Sequence, residues 1–428
     1  MRKFTKEAPN RPETFAIAGE PSAPLEELIR QGARQIIQQA VEAEMQVLLS
    51  SYAHVATMSG QRVVVRNGYQ PARDILTAVG PVTVRVPKVR DRSGSGIKFN
   101  SDLVPPYVRK TPRVSAALPW LYLKGISTGD MSEALQALLG TEAKGLSPAV
   151  VSRLKMQWAD DWKAWNKRDL SGERYIYWWV DGVYTGLRAD DTDKQCLLVI
   201  IGVKPDGSKE RVAIGDGIRE SKESWRDLLL DLKERGLKNG PLLAIGDGAM
   251  GFWAAVSEVY PETRHQRCWV HKMVNVLEAL PKAIQSVGKA DLKEIWLAPT
   301  LEMAERAFKR FVFRYGDKYP QAVAKLKKDE DALLAFYDFP AEHWQHIRTT
   351  NPIESTFATV RHRTKRTRNC VSRDTFLGLA FKLMEEAEKS WNKIRGADKI
   401  EKLLKGVVFK DGEAVQDNQP HVDQKLAA

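Results

Sequence analysis

The hydrophobic period of residues 173–262 changes in a fixed order, and that order constrains the fold more than any other feature of the 428-residue chain. Tyr175–Arg188 and Cys196–Val203 read as apolar strands, separated by the polar turn Asp190–Lys194. Pro205-Asp206-Gly207 makes a second turn before a third strand, Arg211–Gly215. Trp225, Leu228, Leu229 and Leu232 then fall at i, i+3, i+4 and i+7, one face of a helix that stops at Gly236. Pro241–Asp247 is a short buried strand and Gly251–Tyr260 a helix. Three hairpin-linked strands, a helix, a strand and a helix predict an α/β domain.

That order is the one found in a ribonuclease-H-like core, although other α/β folds share it. The flanking patterns set the remaining organisation. Residues 1–24 form a polar, proline-bearing flexible leader that lacks the apolar centre of a secretory signal. Leu28, Ile36, Ile37, Val41, Met45 and Leu48 recur at helical spacing and predict one or two helices over 25–49. Val82, Val84 and Val86 alternate with Thr83 and Arg85 behind the turn Gly80-Pro81, a strand signal. Met131–Leu139 and Ser147–Leu154 flank a Gly-bearing break, a candidate helix-turn-helix over 130–160, with Ser147 as N-cap, Pro148 at N1 and Arg153 in the second helix. The helical pattern ends in the polar stretch 166–172. A mainly helical DNA-binding region, 25–172, is therefore expected before a core beginning at 173–272. Residues 273–342 are helical throughout and rich in Lys, Glu and Leu, an all-helical insertion. Residues 343–408 return to the core with a helix over Asn351–Lys365 and another from Thr375 to Lys393, and 409–428 is a polar tail.

Composition narrows the function classes. Lys+Arg 66 against Asp+Glu 54 gives a net charge of +12, which favours a polyanionic partner such as nucleic acid. Between Arg62 and Arg113 there are eleven Lys/Arg and three Asp, either a solvated surface or one that tracks phosphates. With 43% hydrophobic and 28% charged residues the chain is globular rather than disordered. No apolar run approaches the roughly 18 residues of a membrane span. Cys196, Cys268 and Cys370 are odd in number and far apart, which excludes a disulfide framework and suits a reducing cytosol.

Three carboxylates stand where chemistry can use them. Asp181 lies within the apolar run Tyr177-Trp178-Trp179-Val180-Asp181-Gly182, where an acid is costly unless it is paired or binds a cation. Asp247 follows the strand Ala244-Ile245-Gly246, at the carboxyl end where open α/β sheets keep their sites. Each also has an ordinary reading, since Asp-Gly is a turn dipeptide and an Asp after a strand caps helices. Glu354 occupies Thr349-Thr350-Asn351-Pro352-Ile353-Glu354-Ser355, which spells a capping box with Asn351 as N-cap and Glu354 at N3. Downstream of it Arg361, Arg363, Lys365, Arg366, Arg368 and Arg373 run without an acid between 361 and 373. Three carboxylates suffice for a two-metal phosphoryl-transfer site, in which hard divalent ions take oxygen ligands. His265, Cys268 and His271 form His-x2-Cys-x2-His, but a structural zinc wants four ligands and no second cluster exists. A packed cysteine with hydrogen-bonded histidines is the simpler reading.

Asp181-Gly182, Gly246-Asp247-Gly248, Arg267-Cys268-Trp269-Val270-His271-Lys272 and Arg348-Thr349-Thr350-Asn351-Pro352-Ile353-Glu354-Ser355 together resemble the Mutator-type transposases of bacterial insertion sequences, over about residues 25 to 400. The last two motifs are specific, whereas the first two would be weak alone. The resemblance implies a ribonuclease-H-like catalytic core interrupted by a helical insertion. It places an Asp-Asp-Glu triad on Asp181, Asp247 and Glu354, and a Cys-x2-His signature on Cys268 and His271. Two Mg²⁺ (or Mn²⁺) ions are expected as cofactors, with Asp181 bridging them. The implied partners are double-stranded DNA, both element terminal inverted repeats and target, and a second copy of the chain, in the bacterial cytoplasm at the nucleoid and not at a membrane. Cleavage would free 3′-OH ends that attack target DNA. His271, Arg267, Arg361, Arg363, Lys365, Arg366, Arg368 and Arg153 are the expected DNA contacts, with Cys268 and Trp269 packing the insertion against the core. Two other classes remain: a transposase-derived DNA-binding regulator, and a ribonuclease-H-like nuclease that cuts without strand transfer.

Overall fold

The computed structural model describes residues 24–123, 125–126, 130–140, 148–184, 195–248, 251–351, 353–354, 357–358 and 372–415. The chain divides into two compact units, Met1–Val151 and Ser152–Ala428, so the division falls inside a helix and earlier than the boundary expected at residue 172.

The first unit contains α1 (Leu25–Ser51), β1 (Val64–Tyr69), β2 (Arg73–Thr77), β3 (Gly80–Val84), β4 (Pro87–Asp91), α2 (Pro112–Leu123) and α3 (Met131–Leu139). The helical spacing from Leu25 resolves into one continuous helix. Its Val41 and Met45 are buried with Ile75, Val82, Val84, Val86, Phe99 and Val104, the alternating valines all turning to one side. β2 pairs with β3, and β1 with β4, as separate antiparallel two-stranded sheets. Of the expected helix-turn-helix, α3 and α4 (Pro148–Trp165) are helices, while Ser147 and the rest of the connection lie outside the described residues. The second helix is not free along its length. Trp158 and Ala159 are buried, and Trp162 Nε1 donates to the Ile214 carbonyl at 3.0 Å, so this half of α4 is a packing element of the second unit.

The second unit is a mixed α/β domain. Its strands are β5 (Tyr177–Tyr184), β6 (Gln195–Val203), β7 (Lys209–Ile218), β8 (Leu243–Gly246) and β9 (Arg264–Arg267), with α5 (Lys222–Glu234) before β8 and α6 (Phe252–Val259) before β9. They form one sheet in the order β7-β6-β5-β8-β9, the first three antiparallel and the last three parallel. The third strand is longer than expected, and β9 was not legible as a strand at all. Arg264-His265-Gln266-Arg267 has no apolar alternation; buried Gln266 instead donates its amide to the Leu333 carbonyl at 3.1 Å.

Helices α5 and α6 cover one sheet face. The period that predicted α5 buries Trp225, Leu228, Leu229 and Leu232 against Trp178, Val180, Leu198 and Ile200. Each such side chain contributes about 1.5–3 kcal/mol on full burial. The all-helical stretch follows as α7 (Trp269–Leu277), α8 (Lys282–Trp296), α9 (Leu301–Tyr315), α10 (Pro320–Lys327) and α11 (Glu330–Leu334). The chain then crosses the opposite sheet face through two 3₁₀ turns and α12 (Trp344–Ile347), and α13 (Arg373–Glu388) packs beside β7. There the buried Arg211 is held by Glu388, with Nε to Oε2 at 2.7 Å. α13 ends before the expected Lys393. A last helix, α14 (Ile400–Leu404), precedes the hairpin β10 (Phe409–Lys410) and β11 (Glu413–Ala414). The expected polar tail at 409–428 thus begins with a folded segment: the amide of Ala341 donates to the Gly412 carbonyl and that of Gly412 to Tyr337. Residues 416–428 lie outside the described residues.

Candidate active site

β5 and β8 are parallel neighbours, with Tyr177, Trp178 and Trp179 opposite Leu243, Ala244 and Ile245. Asp181 lies two residues beyond Trp179 on β5, and Asp247 directly follows Gly246, the last residue of β8. Neighbouring strands lie about 4.8 Å apart, and by alternation Asp181 shares the face of Tyr177 and Trp179. The returning chain covers that face, where the Tyr177 hydroxyl meets His343 Nδ1 at 2.7 Å and Trp179 Nε1 donates to the His346 carbonyl at 3.0 Å. Each carboxylate also accepts the amide of the glycine after it, Gly182 at 2.9 Å and Gly248 at 2.5 Å. The turn chemistry of Asp-Gly and a placement suited to a site therefore coexist.

β9 continues the same edge. Gly246 is opposite Arg267, and the Cys268 amide donates to the Gly246 carbonyl at 2.9 Å, so Asp247 and Cys268 leave adjoining strands side by side. Here the two longer motifs are laced together. Trp269 N donates to the Arg348 carbonyl at 3.0 Å, and Thr350 N donates to Cys268 Sγ at 3.3 Å. The helical turn carrying Glu354 opens with Thr350 and not Asn351, because the Glu354 amide donates to the Thr350 carbonyl at 3.1 Å. The expected capping box is not formed. Glu354 Oε1 instead accepts the Thr350 hydroxyl at 2.6 Å and lies 3.7 Å from His271 Nδ1.

Cys268, His271 and Glu354 thus bring one donor atom each within 4.8 Å of one another, the metal-capable group of three found among the described residues. His265 is not part of it; its Nε2 meets Ser257 Oγ at 3.4 Å and its ring packs on Trp253. His271 is pushed up to about 9, first by its hydrogen bond with Cys268 and then by the charges of Asp247 and Glu354, against burial. Its Nδ1 lies 3.7 Å from Glu354, and the charge of Asp247 also favours its protonated form.

Arg267, expected as a DNA contact, has partners within the fold. Its guanidinium stacks 3.8 Å from the Trp253 ring centre and pairs with Asp329 at 3.3 Å. Lys272 pairs with the same carboxylate, and all three side chains are at most 13% exposed. Burial acts to raise Asp329, but Lys272 and Arg267 outweigh it and hold the acid below its ordinary range. Trp269 is buried and donates Nε1 to the Leu333 carbonyl at 2.8 Å, joining the helical stretch to the sheet edge. Arg153 is exposed on α4. Arg361, Arg363, Lys365, Arg366 and Arg368 lie outside the described residues, and Arg373 is paired with Asp216.

One acid in the neighbourhood had no sequence signal. Glu220 follows Arg219, which adopts φ 61°, and its carboxylate lies against Gly182 so closely that a Cβ there would collide with it. Burial and then the charge of Asp247 raise Glu220, while His271 lowers it. In the sequence it reads only as part of a charged helix start.

The chain matches the family described as "Transposase, Mutator family" over residues 16–394. It is 57% identical over 305 residues to the transposase for insertion sequence element IST2 of Acidithiobacillus ferrooxidans, covering 70% of this chain and 100% of that protein. To the transposase for IS6120 of Mycolicibacterium smegmatis it is 50% identical over 303 residues, 71% of this chain and 93% of the relative. The transposase for IS256 in transposon Tn4001 of Staphylococcus aureus is 31% identical over 305 residues, 70% and 75% of the two chains. The chain belongs to the Mutator family of transposases.

Proposed function

We propose that the protein binds the terminal inverted repeats of its insertion sequence, cleaves to free 3′-OH ends and transfers them to target DNA. Asp181, Asp247 and Glu354 would hold two divalent ions, Mg²⁺ or Mn²⁺. The observation that supports this reading is that β5, which carries Asp181, and β8, which Asp247 directly follows, are parallel neighbours, with the Glu354 turn hydrogen-bonded to the end of the next strand. Their oxygen donors fit hard cations. Cys268 suits them less, and its sulfur is already an acceptor for Thr350. The strand order β7-β6-β5-β8-β9, three antiparallel strands then two parallel ones, supports a ribonuclease-H-like core.

When bound, the ion pair supplies activation of the attacking oxygen and stabilisation of the leaving oxygen. The chain's own residues do the rest. Asp181 sits on β5 and Asp247 just past the end of β8, and Thr350 holds the Glu354 carboxylate through its hydroxyl. Protonated His271 adds a positive charge beside that carboxylate, suited to a phosphate oxygen. A second copy of the chain would be needed to hold both ends.

The test is a paired cleavage and joining assay with Mg²⁺, an element-end duplex and a target plasmid, comparing wild type with Asp181→Ala, Asp247→Ala and Glu354→Ala. All three variants are expected to bind DNA and to neither cut nor join, a loss of at least three orders of magnitude. Full activity in any of them removes that residue from the site. Cutting without joining would instead favour the nuclease reading, and binding without metal-dependent cutting the regulator.

A further inference from the structure

The first unit sorts its basic residues in a way the sequence cannot. Arg66 is committed to Glu42 at 2.8 Å, and Arg73 donates to the carbonyls of Val104 and Pro105, both at 2.7 Å. Lys88, Arg90 and Arg92 are different. They alternate along and just beyond β4 with half-buried Val89 and Asp91, and all three are exposed. Among the described residues none of the three makes an ion pair or a side-chain hydrogen bond. The ribbon they ride on is held in place: Val64, Val65 and Arg66 pair with Asp91, Arg90 and Val89, the Arg92 amide donates to the Val63 carbonyl at 2.9 Å, and Val89 packs on the core of the unit.

The acids that could neutralise this row are turned away from it. Asp91 caps its own loop, accepting the Ser93 hydroxyl and amide at 2.5 and 2.8 Å and the Ile97 amide at 3.1 Å. Those bonds, the Ser93 hydroxyl first, hold it down at about 2. Glu42 accepts from Arg66 and Tyr69, and Glu44 from Ser101 and the amides of Asp102 and Leu103. What remains is three uncompensated cations in line. Alternate side chains on a strand repeat at about 6.7 Å, so the row spans about 13 Å. That is the rise of about four nucleotides of one DNA strand, each carrying one negative charge.

We propose that the outer face of β4, through Lys88, Arg90 and Arg92, is a docking surface for the phosphate backbone of double-stranded DNA. It rests on the reading of the protein as a DNA transposase, but it assigns the contact to this ribbon rather than to the helices of the candidate helix-turn-helix. Because phosphates and not bases are met, the contribution is the same on any sequence.

The experiment is a salt titration of the full-length protein binding a short duplex of arbitrary sequence, without divalent ions. Replacing all three residues by alanine should reduce the slope of log K against log salt by about 2 to 3, at roughly 0.9 per phosphate released. The charge-keeping triple Lys88→Arg, Arg90→Lys, Arg92→Lys should retain the wild-type slope. An unchanged slope in a folded alanine triple overturns the proposal, as does an equal loss in the charge-keeping triple. If the alanine triple does not fold, the three single alanine variants are read instead, each expected to lower the slope by about 0.9. Strand cutting is not part of this readout. A protein that never cuts can still give the predicted slope, and one that cuts and joins normally can still fail it.

Discussion

His271 carries the clearest consequence at the scale of single residues. Its folded-state value, up to about 9, lies above the ordinary 6.5, so folding favours the protonated form. The stabilisation is therefore present in full below pH 6.5 and is lost as pH rises through about 9. Melting temperatures of wild type and His271→Gln should differ below pH 6.5 and converge above pH 9; a gap that does not change with pH would falsify the assignment of charge. Asp329 makes a second case. Its two cationic partners are buried with it, and Asp329→Asn strands both, at an expected cost of about 3–5 kcal/mol in chemical unfolding. Arg267 was read from the sequence as a DNA contact because a cation beside Cys268 is all that one dimension displays. Its commitment to Asp329, 62 residues away, is a tertiary fact. Glu220 was invisible for the same reason, since its place beside Gly182 depends on two turns and a sheet.

Among the elements, those with a strong period were legible and those without one were not. α5 follows from Trp225, Leu228, Leu229 and Leu232 because burial on one side leaves a 3.6-residue trace. β9 leaves none, since its buried position is filled by Gln266 satisfied through hydrogen bonds. The hairpin at 409–414 is similarly silent, being held by backbone bonds to residues 337 and 341. The contact of α4 with α13 was not legible either, because it rests on the absence of a side chain. A Cβ on Gly378 would stand 2.5 Å from the Ala159 nitrogen and 2.6 Å from the Trp158 carbonyl carbon, both backbone atoms that cannot rotate away. Gly378→Ala is expected to lower unfolding stability by about 1–3 kcal/mol, the usual cost of forcing packed elements apart. Stability within experimental error of wild type would mean the two helices do not meet there.

For the whole molecule, the excess of cations is a statement about conditions of action. With a net charge of +12, affinity for DNA should fall steeply with ionic strength, by about 10³–10⁵ between 50 and 200 mM salt if 6–10 phosphates are met. A filter-binding or anisotropy series over that range checks this, and a flat response would remove backbone contacts as the main source of affinity. The larger architecture also has a bearing on added loop length. Trp269 and Arg348 are joined by one backbone hydrogen bond, and 78 residues lie between them. Glu354 is thus located by the clasp at the mouth of this excursion and not by the path length inside it. Closing a longer excursion costs only about 0.6 kcal/mol per doubling. Lengthening the loops around Pro281 and Pro299 by a few residues should accordingly leave the hydrogen bond between Trp269 and Arg348, and with it the position of Glu354, in place.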